Sequence, residues 1–274
     1  MTKLISVITC VYNGEKTIED TIQSVLQQNF ENFEYIIIDG KSNDDTLKIV
    51  NNYSQKDPRI KLISESDTGI YDAYNKGIAR STGDILIYVN ADDFLFQGAI
   101  KAIHDQFNPK EYDLFAGSIS ILNEESRYYK EHYRSKIPRH SLTNPSVLTP
   151  GICFTRKVFQ KIGEFDTSFR ICADFDLISR SLNRGLKIQY SDVLLNHMRE
   201  GGISSDIRFE RIKKIEQIKV YLKNSNKLNF SFITSIVVKY VKTILLNSLF
   251  KKELQKRRKQ IQNKYNHNQI FWFR

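Results

Sequence analysis

Cysteine is scarce in this chain of 274 residues, and Cys10, Cys153 and Cys172 show no metal-ligand spacing. An odd, widely spaced set argues against a disulfide framework and reads as reduced thiols in a cytoplasmic protein. A charged leader followed by a long apolar run is also missing. The opening MTKLISVITC therefore reads as a first strand and not as a signal peptide. Neither GxGxxG nor GxxxxGK[ST] occurs, which excludes a dinucleotide fingerprint and a P-loop. The apolar stretch FSFITSIVVKYVKTILLNSLF, residues 230–250, is interrupted by Lys239 and Lys242, so it makes a poor membrane-spanning helix.

What is present is charge, unevenly placed. The net charge is +10. Residues 1–204 hold 24 Lys and Arg against 27 Asp and Glu, a balance of −3; residues 205–274 hold 17 against 4, a balance of +13. The basic character belongs to the C-terminal segment, and the chain divides near residue 205.

The first part alternates strands and helices. Leu4 to Val11 is an apolar, β-branched run suited to a strand covered on both faces. Asn13 is placed to cap a helix whose Ile18, Ile22, Val25 and Leu26 share one face. Phe33 to Ile38 forms the next strand and ends in Asp39-Gly40. Ser42 to Asp45 resembles a capping box opening a helix through Tyr53. A strand over Ile60 to Ser64, a helix over Asp72 to Arg80 and a strand over Ile85 to Val89 follow. This alternation predicts an α/β fold with a doubly wound, mostly parallel sheet.

In such a sheet, ligands collect beyond the C-terminal strand ends. Three acidic points fall there: Asp39, Asp67 and the pair Asp92–Asp93. Two adjacent carboxylates repel each other unless a cation lies between them. Mg²⁺ or Mn²⁺ takes one or two carboxylates and completes its shell with water and phosphate oxygens. The pattern suits a metal–diphosphate site; a solvated turn is the alternative.

The motifs TCVYN (9–13), IIIDGKSNDDT (36–46), DTGIYDAYNKGI (67–78), TGDILIYVNADD (82–93) and GEFDTSFRICADFDLISR (163–180) together resemble a family 2 glycosyltransferase. More narrowly, they are similar to the bacterial branch that builds extracellular polysaccharides. The resemblance spans residues 4–204 and implies the nucleotide-diphospho-sugar fold called GT-A, with inversion at the anomeric centre. It implies that Asp39 reads the uracil edge, and that Thr9, Val11 and Tyr12 pack on the nucleoside. Asp67 and Gly69 would line the nucleotide pocket, Gly69 by close backbone approach. Asp72, Asn75 and Lys76 follow on a helix, where a surface role and a ligand contact both stay open.

Asn90-Ala91-Asp92-Asp93 matches the family's DxD-type motif, with Asn in place of the first acid. The resemblance implies that Asp92 contacts the ribose or a metal-bound water and Asp93 ligates Mn²⁺ or Mg²⁺, with the direct ligand left open between the two. Asp174 matches the catalytic base, and Asp176 is the alternative. Thr149-Pro150-Gly151 departs from a His-Gln pair found in many relatives on the acceptor side. His197, Arg199 and Gly201–Ser204 resemble a mobile loop that closes over the diphosphate.

The resemblance thus points to transfer of a hexose from a nucleotide-diphospho-sugar, a UDP-sugar, to a saccharide or lipid-linked acceptor. An amphipathic helix followed by KKELQKRRKQ suggests peripheral attachment to an anionic membrane surface through residues 230–259, on the cytoplasmic face of the inner membrane. Packing of that helix on the catalytic domain or on another subunit is the other reading. A sugar-phosphate nucleotidyltransferase would show a glycine- and basic-rich first loop, and TCVYNGEK is not one. A nucleic-acid binder would interleave aromatics with its basic residues, and the acidic core would repel a phosphate backbone.

Overall fold

The computed structural model describes residues 3–123, 128–134, 149–199, 209–225, 233–238 and 240–242. The chain forms two compact units, residues 1–226 and 227–274. In the second, residues 233–238 and 240–242 are helical, and the basic run 251–260 lies outside the described residues. Among the described residues, no helix is long and apolar enough to cross a membrane.

The first unit opens with the expected alternation: β1 (Ile5–Val11), α1 (Ile18–Leu26), β2 (Phe33–Asp39), α2 (Thr46–Ser54), β3 (Ile60–Ser64), α3 (Ile70–Arg80) and β4 (Ile85–Tyr88). It continues with β5 (Phe94–Leu95), α4 (Ala99–Gln106), β6 (Leu114–Asn123) and β7 (Tyr128–Arg134). A 3₁₀ turn at Thr149–Gly151 leads into β8 (Ile152–Thr155), α5 (Arg156–Ile162), α6 (Ala173–Asn183), β9 (Ile188–Arg199) and α7 (Glu210–Asn224).

Among the described residues these strands make one sheet in the order β3-β2-β1-β4-β8-β6-β9-β5, with β7 paired to β6. The first four strands are parallel. Beyond β4 the sheet turns mixed, because β8 runs antiparallel to both β4 and β6. Period-two alternation feeds two cores. Ile5, Val7 and Val11 pack on one face with residues of α1, α2 and α4. Ile8 and Cys10 face the other, with residues of α3, α5, α6 and α7. Both faces of the central strands are therefore covered, as their continuous apolar runs require. The three cysteines are free and buried.

Two local expectations are corrected. Asn13 does not cap α1: its φ is +53, the helix starts after Thr17, and its Oδ1 accepts the Asn43 N–H at 2.9 Å. Nor do Ser42 to Asp45 form a capping box, since α2 starts after Asp45 without a side-chain cap. Instead Ser42 Oγ accepts the Asn13 N–H at 2.9 Å, and Asp44 accepts the Glu15 N–H at 3.1 Å. Asn13 and Ser42 here bond a neighbouring loop in place of their own helix, a competition that short polar residues readily enter, while Asp44 does both, its Oδ1 accepting the Thr46 N–H at 3.0 Å. The outcome is a staple between the β1–α1 and β2–α2 loops, both at the same sheet edge.

Candidate active site

The parallel register sets Val11, Asp39 and Ser64 side by side at the C-terminal edge of the sheet. Asp39 is wholly buried there; its carboxylate accepts the Ser42 N–H at 3.2 Å and the Ser64 hydroxyl at 2.6 Å. Thr9 is buried in β1 and accepts the Tyr35 hydroxyl at 3.0 Å. Val11 is buried, and its carbonyl accepts the Gly40 N–H. Tyr12, one residue on, is 63% exposed, an unusual outlay of aromatic surface. Among the described residues, Asn13 and Lys41 are the non-glycine positions with positive φ, and both flank this edge. Backbone held in that region is concentrated at functional sites.

Gly40 explains how closely the loops meet. A Cβ built there would lie 2.4 Å from Asp67 Oδ2 and 3.6 Å from the Tyr12 Cβ, so a side chain at this position would displace the Asp67 carboxylate. Asp67 uses its other oxygen to accept the Gly69 N–H at 2.9 Å. Gly69 has φ +137 with open space around it, so backbone conformation, not crowding, demands glycine at this helix start. Tyr12, Asp39, Asp67 and Gly69 thus lie at or just beyond the ends of β1, β2 and β3, the strand-end position expected of Asp39 and Asp67.

The acidic pair is built differently for its two members. Asp93 is 2% exposed. Its Oδ1 accepts the Arg199 N–H at 3.1 Å and its Oδ2 accepts Asn90 Nδ2 at 2.8 Å. Asn90 in turn accepts the Tyr74 hydroxyl at 2.6 Å. Asp92 stands partly exposed beside it. Burial raises the Asp92 carboxyl above the usual range, and burial together with the Asp92 charge raises Asp93. Among the described residues no group of three or more His, Cys, Asp or Glu side chains could cage a metal. Two adjacent carboxylates suit a hard cation that would bring water and phosphate oxygens with it, and such a charge would relieve their repulsion. In that arrangement Asp92 has the open oxygens, and Asp93 buttresses the loop from behind.

Asp174 lies in the first turn of α6 and is partly exposed. Its Oδ1 accepts the Phe175 N–H at 2.7 Å and lies 3.3 Å from the Tyr71 hydroxyl. Asp176 is wholly buried, with Arg180 at 2.7 Å, Lys223 at 3.1 Å and Asn224 Nδ2 at 3.0 Å. These partners occupy Asp176 in joining α6 to α7. Tyr71 and Tyr74, one turn apart on α3 with ring centroids 6.0 Å apart, connect the Asp174 segment to Asn90.

The remaining sequence candidates divide clearly. Asn75 bonds both the carbonyl and the N–H of Phe165, and Lys76 donates to the Ser66 carbonyl, so both brace loops. Asp72 accepts the Thr68 N–H at 2.9 Å. The Arg199 guanidinium donates to Asp20 at 2.7 Å and to the Asp92 carbonyl at 3.3 Å, and stacks over Phe94 at 4.2 Å. His197 bonds Ser120 through Nδ1. Gly201–Ser204 lie outside the described residues. A cavity of about 530 Å³ lies elsewhere, beside the start of β6, lined by Lys110, Lys157, Lys161, Arg184 and Lys187.

The missed residues, Tyr71 and Tyr74, carried a faint signal. Two tyrosines at i,i+3 on a helix ending one strand before the acidic pair form a polar-tipped aromatic face.

The family model described as glycosyl transferase family 2 matches residues 6–186. A PGL/p-HBAD biosynthesis glycosyltransferase of Mycobacterium bovis is 26% identical over 211 residues, covering 74% of this chain and 80% of the relative. The structure of S. aureus TarS 1–349 in complex with UDP-GlcNAc superposes with TM-score 0.62 at 19% identity, covering 90% of this chain and 73% of that one. Against the longer TarS chain, this one spans 43%. The mannosyltransferase PcManGT of Pyrobaculum calidifontis, in complex with GDP-Man and Mn²⁺, gives TM-score 0.60 at 16% identity, covering 88% and 70%. At these identities the structural likeness speaks for the GT-A fold.

Proposed function

The chain belongs to glycosyl transferase family 2, and from that premise we propose that it moves a hexose from a UDP-sugar, with inversion, to a saccharide or lipid-linked saccharide in surface polysaccharide synthesis. The observation that carries this reading is the meeting of Tyr12, Gly40 and Asp67 at the parallel strand ends, next to the Asp92–Asp93 loop. The exposed Tyr12 ring offers a face for a nucleobase. Thr9, Val11 and the buried Asp39 are assigned to the floor of that site, and Asp67 with Gly69 to its nucleoside side. The TarS complex with UDP-GlcNAc supports a uridine donor, and the PcManGT complex supports a divalent cation.

Inversion by single displacement needs a carboxylate that takes the acceptor hydroxyl's proton as its oxygen attacks C1. Asp174 is assigned that role, since Asp176 is committed to Arg180 and Lys223. Asp92, with Asp93 behind it, would hold a divalent cation, which would supply Lewis-acid stabilisation to a diphosphate leaving group.

A thermal-shift panel of UDP, GDP, CMP and an oligonucleotide, each with and without Mn²⁺, tests the reading. UDP with Mn²⁺ at 100 times its Kd should add about 2.7 kcal/mol of stability, and neither alone should match it. A response to oligonucleotide, or to none of these, contradicts the assignment.

In this reading residues 1–204 carry the catalysis, and the basic extension 205–274 begins with α7 and attaches to anionic lipid through 230–259. Each Lys or Arg near such a surface adds about 1 kcal/mol. A chain ending at Ser225, which keeps α7 whole, should bind UDP normally and no longer co-sediment with phosphatidylglycerol vesicles. Aggregation or lost UDP binding would instead make the removed segment part of a core or an oligomer contact.

A further inference from the structure

We infer that Glu216 of α7, which lies beyond the matched region 6–186, is a positioning residue for Asp174; this rests on Asp174 being the base. Helix α6 has Cys172 at its N-cap, and that side chain makes no capping bond. Of the first-turn N–H groups, which a helix leaves without backbone partners, that of Phe175 is taken by Asp174 Oδ1. The amides of the three residues just before the helix are taken from far downstream. Glu216 Oε1 accepts the Arg170 N–H at 2.8 Å, and Oε2 accepts those of Ile171 and Cys172 at 2.8 and 3.0 Å.

The Glu216 carboxylate is 6% exposed, so water competes little for these bonds. They are charge-assisted and lie at the positive end of a helix, which strengthens them. From the opposite side, the Tyr71 hydroxyl donates to the Ile171 carbonyl at 2.6 Å. The segment entering α6 is therefore held through its N–H groups by Glu216 and through a C=O by Tyr71, ending two residues before Asp174. Farther along α7, Lys223 and Asn224 hold Asp176. Helix α7 thus fixes the start of α6 at two points. A base displaced by about 1 Å costs on the order of 100-fold in rate. Glu216 acts on catalysis through that displacement, without touching substrate.

Glu216→Gln keeps the shape but withdraws the charge and turns an NH₂ toward at least one of the three donors. With UDP-GlcNAc and Mn²⁺ as probe, kcat for UDP release should fall by about 10-fold or more while KM stays within about twofold. Hydrogen exchange at the amides of 170–172 should quicken. In an Asp174→Asn background the same change should add little further loss, because its effect passes through Asp174. Unchanged kcat in the single variant, or losses that multiply in the double variant, overturn the inference. If Glu216→Gln does not fold, Glu216→Asp, one methylene short of its donors, is read through the same cycle. A wild-type chain that neither binds UDP nor releases it overturns the functional reading, and the role of Glu216 falls with it. A wild-type chain that turns over beside an unaffected Glu216→Gln overturns only the role of Glu216.

Discussion

Asp174→Asn is expected to turn over at least about 100-fold more slowly than the wild type while binding UDP and Mn²⁺ unchanged. The substitution preserves volume and an acceptor oxygen for the Phe175 N–H, and the Tyr71 hydroxyl keeps its bond to the Ile171 carbonyl. It removes only the capacity to take a proton. Because the site assigned to the nucleotide lies at the ends of β1, β2 and β3, donor affinity should not follow the rate. UDP release from UDP-GlcNAc, measured beside calorimetric UDP titration, separates the two. Wild-type turnover in the variant would remove the base role from Asp174. It would not pass to Asp176, whose oxygens are tied to Arg180, Lys223 and Asn224.

Asp92→Ala should lose metal-dependent UDP affinity by more than about 100-fold, above the range seen for residues that merely support metal ligands. Asp92 is partly exposed, so its removal should leave the melting temperature near that of the wild type. Asp93→Ala should differ in kind. The residue is 2% exposed and its carboxylate accepts from Arg199 and Asn90, so truncation strands one buried and one part-buried donor. Each stranded donor costs about 1–3 kcal/mol. Affinity and stability should therefore fall together in Asp93→Ala and separate in Asp92→Ala. Unchanged metal-dependent titration in Asp92→Ala would remove the metal from this loop.

The contrast between Asp92 and Asp93 also marks how far the sequence could be read. Adjacent carboxylates after an apolar strand announce a cation, but which of the two turns inward depends on Asn90, Tyr74 and the Arg199 backbone, the last of them 106 residues away. The first four strands were legible because each is an apolar run bounded by turn residues, and their parallel order follows from the helices between them. Asn13 and Ser42 misled for a physical reason: a short polar side chain that can cap its own helix can equally bond a neighbouring loop, and proximity of the loops decided. The choice between Asp174 and Asp176 was visible only as an i,i+2 spacing. It needed α7, whose Lys223 and Asn224 claim Asp176. Glu216 was invisible for the same reason, since no local pattern links a helix glutamate to amides 44 residues upstream.

The most direct test of the account is a crystal of the full chain soaked with UDP and Mn²⁺, read by the anomalous signal of manganese. A single manganese peak is expected within bonding distance of Asp92, with diphosphate oxygens completing its shell and the uracil ring against Tyr12 over Asp39. Nucleotide seated away from the ends of β1 and β2, or manganese that avoids Asp92 while UDP is bound, would contradict it.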